Sequence, residues 1–210
     1  MKNSIPSWFG LFKSSYIENY ILLVIESYQS ISAESRSITK KEEDRRTELV
    51  EIMRCKKNEY NICFPIAYES GEKTKRMDIC CYIDNMNEDS YICFECKRFI
   101  KSNITKSNFE KEYYGEGIKR FENNEYSRHM NEAGMIAFLE TGDMGKLKGL
   151  FEKELPEKSI NKVIEDCSLQ FCFQYVFRSV HNRVENGHEL SLHHILLDLT
   201  KNRVNLYSRI

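Results

Sequence analysis

The segment RMDICCYIDNMNEDSYICFECKRF, residues 76–99, constrains the fold more than any other part of the chain. Two short runs rich in β-branched, aromatic and cysteine side chains, Met77–Ile83 and Tyr91–Lys97, flank a polar stretch that cannot continue either of them. That pattern reads as two antiparallel strands joined by a turn. With the turn centred in Asn85–Glu88, so that Asp84 faces Asp89, cross-strand partners have residue numbers summing to about 173. Asp78 then lies opposite Glu95. Alternation along the second strand puts Lys97 on the face of Glu95 and turns Cys96 away.

These three charges sit inside otherwise apolar strands, where burial is expensive unless the groups are paired or metal-bound. Opposed carboxylates on an antiparallel pair have Cβ atoms roughly 5 Å apart and repel, so they need a compensating cation. Mg²⁺ is a hard ion that takes one or two carboxylates, a carbonyl and several waters, and it would meet that need. The Lys97 ammonium would lie beside it. Taken singly, each residue favours a plainer reading, with Glu95 and Lys97 in a cross-strand or solvent-facing ion network and Asp78 merely at a strand start; the joint placement favours a metal centre.

The remaining pattern is mixed. Helical spacing of apolar residues runs through Tyr16–Ser30 and Lys40–Lys56, and a further strand-like run covers Tyr60–Tyr68. Helical spacing returns over Thr105–Phe121, a strand is expected over Gly134–Glu140, and a helix over Met144–Glu154. Leu169–Val180 and Leu190–Leu199 read as closing strands. The order implies an α/β fold in which a helix crosses over between strands. With 210 residues and no internal repeat or linker, one domain over 1–210 is expected, with an N-terminal helical segment and a C-terminal strand-rich extension.

A net charge of −1 gives no global attraction for a polyanion, so any nucleic-acid contact must come from a local patch. Lys101, Lys106, Lys119, Arg120 and Arg128 follow the Lys97 strand and mix with Tyr113, Tyr114, Phe121 and Tyr126. Such a mixture can hold phosphates and stack bases. A helix that exposes its charges and buries its aromatics would show the same letters. No run approaches the roughly 18–20 apolar residues of a membrane span, and MKNSIPSWFG does not resemble an export signal. A cytoplasmic protein without a membrane partner is expected, and its eight cysteines are read as buried, reduced thiols. Cys93 and Cys96 form C-x-x-C, but on a strand they face opposite sides, and no second spaced pair follows to make a zinc site. His181, His188, His193 and His194 read as strand-end residues satisfied by hydrogen bonds. Gly115 and Gly117 lack the lysine and hydroxyl residue of a phosphate loop.

Met77-Asp78 on one strand and Glu95-Cys96-Lys97 on the next, after an acid-bearing helix and before a helix and a strand, resemble the PD-(D/E)XK nuclease superfamily, which includes restriction endonucleases. Met77 replaces the proline of the motif. The resemblance implies an α/β, restriction endonuclease-like mixed central sheet flanked by helices, and metal-dependent hydrolysis of phosphodiester bonds in DNA. It implies that Asp78 and Glu95 hold Mg²⁺ or Mn²⁺ with help from the Cys96 carbonyl, and that Lys97 orients the attacking water and stabilises charge on the phosphate. A glutamate from the first core helix would join them; in KKEEDRRTELVEIM this is Glu43 or Glu48, with Glu43 preferred. Substrate contacts fall to Lys101, Lys119 and Arg120. The segment YYGEGIKRFENNEYSRHMNEAGMIAFLE also looks like the region after the lysine in bacterial relatives associated with restriction or phage defence. A homodimer would suit cutting of both strands. The alternative is a non-catalytic module of the same fold that binds nucleic acid or protein.

Overall fold

The alternation in residues 76–99 becomes a hairpin of β2 (Met77–Tyr82) and β3 (Tyr91–Phe99). The computed structural model describes residues 8–31, 35, 38–70, 77–83, 91–127, 130–160, 164–165 and 174–200. Ile79 pairs with Phe94, Cys80 with Cys93, Cys81 with Ile92 and Tyr82 with Tyr91, and the numbers of each pair sum to 173. That is the register set by the sequence pattern. The expected turn, Asn85–Glu88, lies outside the described residues.

The sheet grows outward from this hairpin. With β1 (Ile66–Ser70), β4 (Glu132–Leu139), β5 (Ile164–Glu165), β6 (Gln174–Asn182) and β7 (Glu189–Asp198), it has seven strands in the order β1-β2-β3-β4-β7-β6-β5. β3–β4 and β4–β7 are parallel and the other pairs antiparallel. The parallel step from β3 to β4 needs a crossover, and a helix supplies it. This helix, α3, runs from Lys106–Asn108 through a π-helical stretch, Phe109–Ile118, to Lys119–Glu122.

Helices cover both faces. α1 (Trp8–Ser30) and α2 (Glu42–Lys56) pack Val24, Tyr28, Leu49 and Met53 against Ile79, Phe94, Ile136 and Ile195. On the opposite face, α3 and α4 (Met144–Lys158) pack Phe109, Tyr113, Leu147 and Phe151 against Cys93, Phe99, Met135 and Leu196. β4 is central and buried on both faces, which is why GMIAFL is a continuous apolar run rather than an alternating one. No described helix is long and apolar enough to cross a membrane.

Two expectations shift. The run Tyr60–Tyr68 is strand only from Ile66. It begins in a 3-10 turn, Lys57–Tyr60, closed by Asn61 at φ 55°, a left-handed conformation that asparagine tolerates. The strand expected over Leu169–Val180 is β6, from Gln174 to Asn182; residues 169–173 lie outside the described residues.

Gly134 has a tight role, because a Cβ there would sit 2.1 Å from the Phe94 ring on the paired strand. Gly134→Ala is therefore expected to cost about 1–3 kcal/mol through overpacking. Gly149, on the exposed face of α4 with nothing within 4 Å of a Cβ, is the control, and Gly149→Ala should be neutral or stabilise by up to about 1 kcal/mol. Urea midpoints of the two variants check the contrast.

Candidate active site

The site forms where β3 outlasts β2. β2 begins at Met77, whereas β3 continues to Phe99, so among the described residues the β2-facing edge of β3 runs on without a strand partner. Backbone N–H groups left there need acceptors, and two carboxylates provide them. The Cys96 N–H donates to Asp78 Oδ2 at 2.7 Å, and the Arg98 N–H donates to Glu42 Oε2 at 2.7 Å. Asp78 Oδ1 accepts from Arg46 Nη1 of α2 at 2.5 Å. Two acids from different elements thus meet along one strand edge.

Glu95 lies on the neighbouring part of β3, level with Asp78 in the hairpin register, and is only 2% exposed. Its Oε1 accepts from Lys97 Nζ at 2.9 Å and from Arg120 Nη1 of α3 at 3.5 Å. Its Oε2 is buried with no hydrogen-bond partner among the described residues. Burial, reinforced by Asp78, outweighs both cations and pushes the Glu95 carboxyl up to about 7. Burial alone would lower Lys97, but Glu95, Glu42 and Asp78 together raise it, so the ammonium stays protonated. Glu42 is also raised, by burial first and then by Asp78, against the pull of Lys97.

Asp78, Glu95 and Lys97 are therefore gathered at one place. The α2 glutamate that lies beside them is Glu42, whereas the expected Glu43 is exposed, since one residue along an α-helix turns a side chain by about 100°. Glu48 accepts from Arg45 and Lys40 in a separate network with Ser35 and Glu140. Each carboxylate also has its own side-chain cation, Arg46 for Asp78 and Lys97 with Arg120 for Glu95, so the compensation expected from a metal is met in part by the protein.

Of the expected substrate contacts among the described residues, only Arg120 reaches the site, where it also donates to the Tyr126 hydroxyl. Lys101 is exposed in the turn after β3, and Lys119 is exposed with its ammonium 5.6 Å from the Tyr114 ring. Lys106 is held by Glu154 and Glu157, and Arg128 lies outside the described residues. Tyr113, Phe121 and Tyr126 are core residues, so they form no exposed stacking platform. Cys80, Cys81, Cys93 and Cys96 are buried, whereas Cys55 and Cys63 are exposed, contrary to the expectation for all eight. Cys167 and Cys172 lie outside the described residues. Cys93 and Cys96 belong to cores on opposite faces of the sheet.

The histidines hold a polar chain that the sequence did not announce. Tyr113 OH meets His194 Nδ1 at 2.9 Å, His194 Nε2 meets Ser179 Oγ at 2.6 Å, Ser179 Oγ meets His181 Nε2 at 2.8 Å, and His181 Nδ1 meets Glu122 at 2.9 Å. Burial lowers His194, keeping it neutral. Both ends of the chain lie on α3, so it fastens to the sheet the helix that carries Arg120.

Among the described residues, no group of three or more histidine, cysteine, aspartate or glutamate side chains is gathered as a metal cluster. A pair of carboxylates is enough for Mg²⁺, which keeps several waters. Hard oxygen donors and the unpartnered Glu95 Oε2 fit such an ion. No protein-family model matches the chain, and neither does any curated protein or solved structure.

In metal-free protein, Glu95 binds a proton more readily folded than unfolded, so its ionisation works against the fold. No loss is expected below the ordinary value of 4.5; stability falls as pH rises from there to about 7, approaching a loss of about 3 kcal/mol. Glu95→Gln is expected to flatten most of this slope and to exceed wild type in stability at alkaline pH. Urea unfolding in EDTA across this range checks it, and identical slopes for the two proteins would contradict the assignment.

Proposed function

We propose that this chain is a Mg²⁺- or Mn²⁺-dependent nuclease of the PD-(D/E)XK type, built on a restriction endonuclease-like sheet and hydrolysing phosphodiester bonds in DNA. The observation that carries the reading is the meeting of Asp78, Glu95 and Lys97 where β2 and β3 part, with one buried Glu95 oxygen lacking a partner among the described residues.

Asp78 and Glu95 would hold the cation, and Cys96, whose N–H faces the same edge as Asp78, would add its carbonyl. Glu42 lies in the electrostatic reach of Lys97 and Asp78 and takes the place foreseen for a helical glutamate. When bound, the ion would supply Lewis-acid polarisation of the scissile phosphate. Lys97, held protonated, stabilises negative charge growing on the phosphoryl oxygens and orients the water. Arg120, 31% exposed at its side chain, can pair with a phosphate from the solvent side. In the reaction, a bond forms from water oxygen to phosphorus, the phosphorus–oxygen ester bond breaks, and the proton lost by water balances the alkoxide that leaves.

A second reading has its own support. The resident cations Arg46, Lys97 and Arg120 already pair with the carboxylates, as they would in a non-catalytic binding module of the same fold. Incubation of plasmid, linear and single-stranded nucleic acids with Mg²⁺, Mn²⁺ or EDTA separates the two. Metal-dependent cutting is expected, falling about 100-fold or more in Asp78→Asn and in Lys97→Met. Binding of nucleic acid without cutting under every metal condition would favour the module.

A further inference from the structure

Arg120 stands on the last turn of α3, partly exposed, where an arginine can pair with an acid one turn back on its own helix. That acid is present: the exposed Glu116 lies 3.7 Å from Arg120 Nη2, beyond hydrogen-bond distance. The guanidinium is turned into the site instead. Glu95 does not account for this, because Nη1 is 3.5 Å from its Oε1, at the outer limit of a hydrogen bond. Nη1 makes its closer contact with the Tyr126 hydroxyl, to which it donates, and Arg120 Cζ lies 5.4 Å from the centroid of the Tyr126 ring, within cation–π range.

Tyr126 can direct Arg120 because it is itself held. It is fully buried, with its ring 5.5 Å from that of Phe121. Arg183, just past β6, fixes the backbone on either side of it: Nη1 donates to Phe121 O at 2.8 Å, and Nη2 to Ser127 O at 2.6 Å and Met130 O at 2.7 Å. Ser127 Oγ accepts from the Cys93 N–H at 3.1 Å and ties the segment to β3 two residues before Glu95. Burial first, and then Glu95, raises the Tyr126 phenol, so it stays neutral and offers Arg120 an oxygen lone pair.

We infer that Tyr126 is a positioning residue of the site: its hydroxyl keeps Arg120 against Glu95 and out of hydrogen-bond reach of Glu116, leaving Nη2 to donate to an anionic group entering from solvent. A guanidinium already held loses less side-chain freedom when the anion arrives than a solvated one, so part of the cost of binding is met in the fold. The positioning follows from the contacts alone. It rests on the nuclease reading only for the identity of the anion, a phosphate of the nucleic-acid backbone.

Nitrogen-15 NMR of arginine-labelled protein in EDTA reads the guanidinium without any cutting, with Arg120→Lys to assign its signals. Tyr126→Phe is expected to speed exchange of the Arg120 side-chain N–H groups with water about tenfold or more, the factor for loss of a hydrogen bond to a charged group. Glu95→Gln, which keeps an acceptor oxygen, and Glu116→Gln should each speed it less than Tyr126→Phe. Melting temperatures establish that each variant is folded. In the cutting assay, Tyr126→Phe should lower kcat/KM about tenfold and cost nothing further in an Arg120→Met background. Unchanged exchange in folded Tyr126→Phe, a larger effect from Glu95→Gln, or an undiminished loss on adding Tyr126→Phe to Arg120→Met would overturn the assignment. Wild type that cuts nothing with any metal would remove the nuclease reading, and the exchange rates would still decide for or against Tyr126.

Discussion

A carboxylate buried in the middle of a sheet is costly to ionise, and the elements around β3 are arranged by that cost at Glu95. Lys97 comes from the same strand two residues on, and Arg120 from the crossover helix that the parallel step from β3 to β4 requires. The helix must be held for Arg120 to arrive. Its π-helical middle lies close to the sheet, where a Cβ on Gly117 would come 2.6 Å from Met135 and 3.5 Å from the Lys97 stem. The chain from Tyr113 through His194, Ser179 and His181 to Glu122 fixes both ends of the same segment. Packing and polar contacts on α3 thus converge on one carboxylate.

The edge of β3 supplies the second half of the site by a different route. Where β2 stops, unpaired backbone N–H groups would have to be hydrated or capped, and Asp78 and Glu42 cap them. Each acid serves structure and electrostatics at once. Arg46 then balances Asp78, while Arg45, fully buried on the next turn-face of α2, binds Glu140 beyond the end of β4 and anchors the helix from which Glu42 and Arg46 project.

How much of this could be read beforehand follows from the length scale of each interaction. The β2–β3 register was legible because the side-chain period is two and the polar stretch between the runs leaves little room for slippage. Asp78, Glu95 and Lys97 were legible as charges breaking apolar strands. Glu42 was missed in favour of its neighbour because KKEEDRR offers consecutive charges with no apolar residue among them to fix the helix phase. Arg46 was missed because its partner lies 32 residues away, and a cation on a charged helix looks solvated until the sheet packs beneath it. The aromatics of α3 misled for the opposite reason: beside lysines they imitate a stacking surface, yet Tyr113 and Phe121 lie in the core.

The same two ion pairs shape how a divalent cation would enter the proposed nuclease. Asp78 is shared with a buried guanidinium, and one member of such a pair cannot be withdrawn without uncovering a charge, at a cost of about 3–5 kcal/mol. A metal that leaves Arg46 in place must use the remaining lone pairs of Asp78, since an ionised carboxylate has about four acceptor sites and two are taken here. Glu95 imposes a second condition. With its carboxyl pushed up to about 7, a substantial share is protonated near neutrality, and that proton must leave before the group can act as a ligand. Metal affinity of the proposed centre would thereby be tied to pH through the same burial that draws Lys97 and Arg120 to the site, so the cost of placing Glu95 in the sheet would become a control on when such a centre could form.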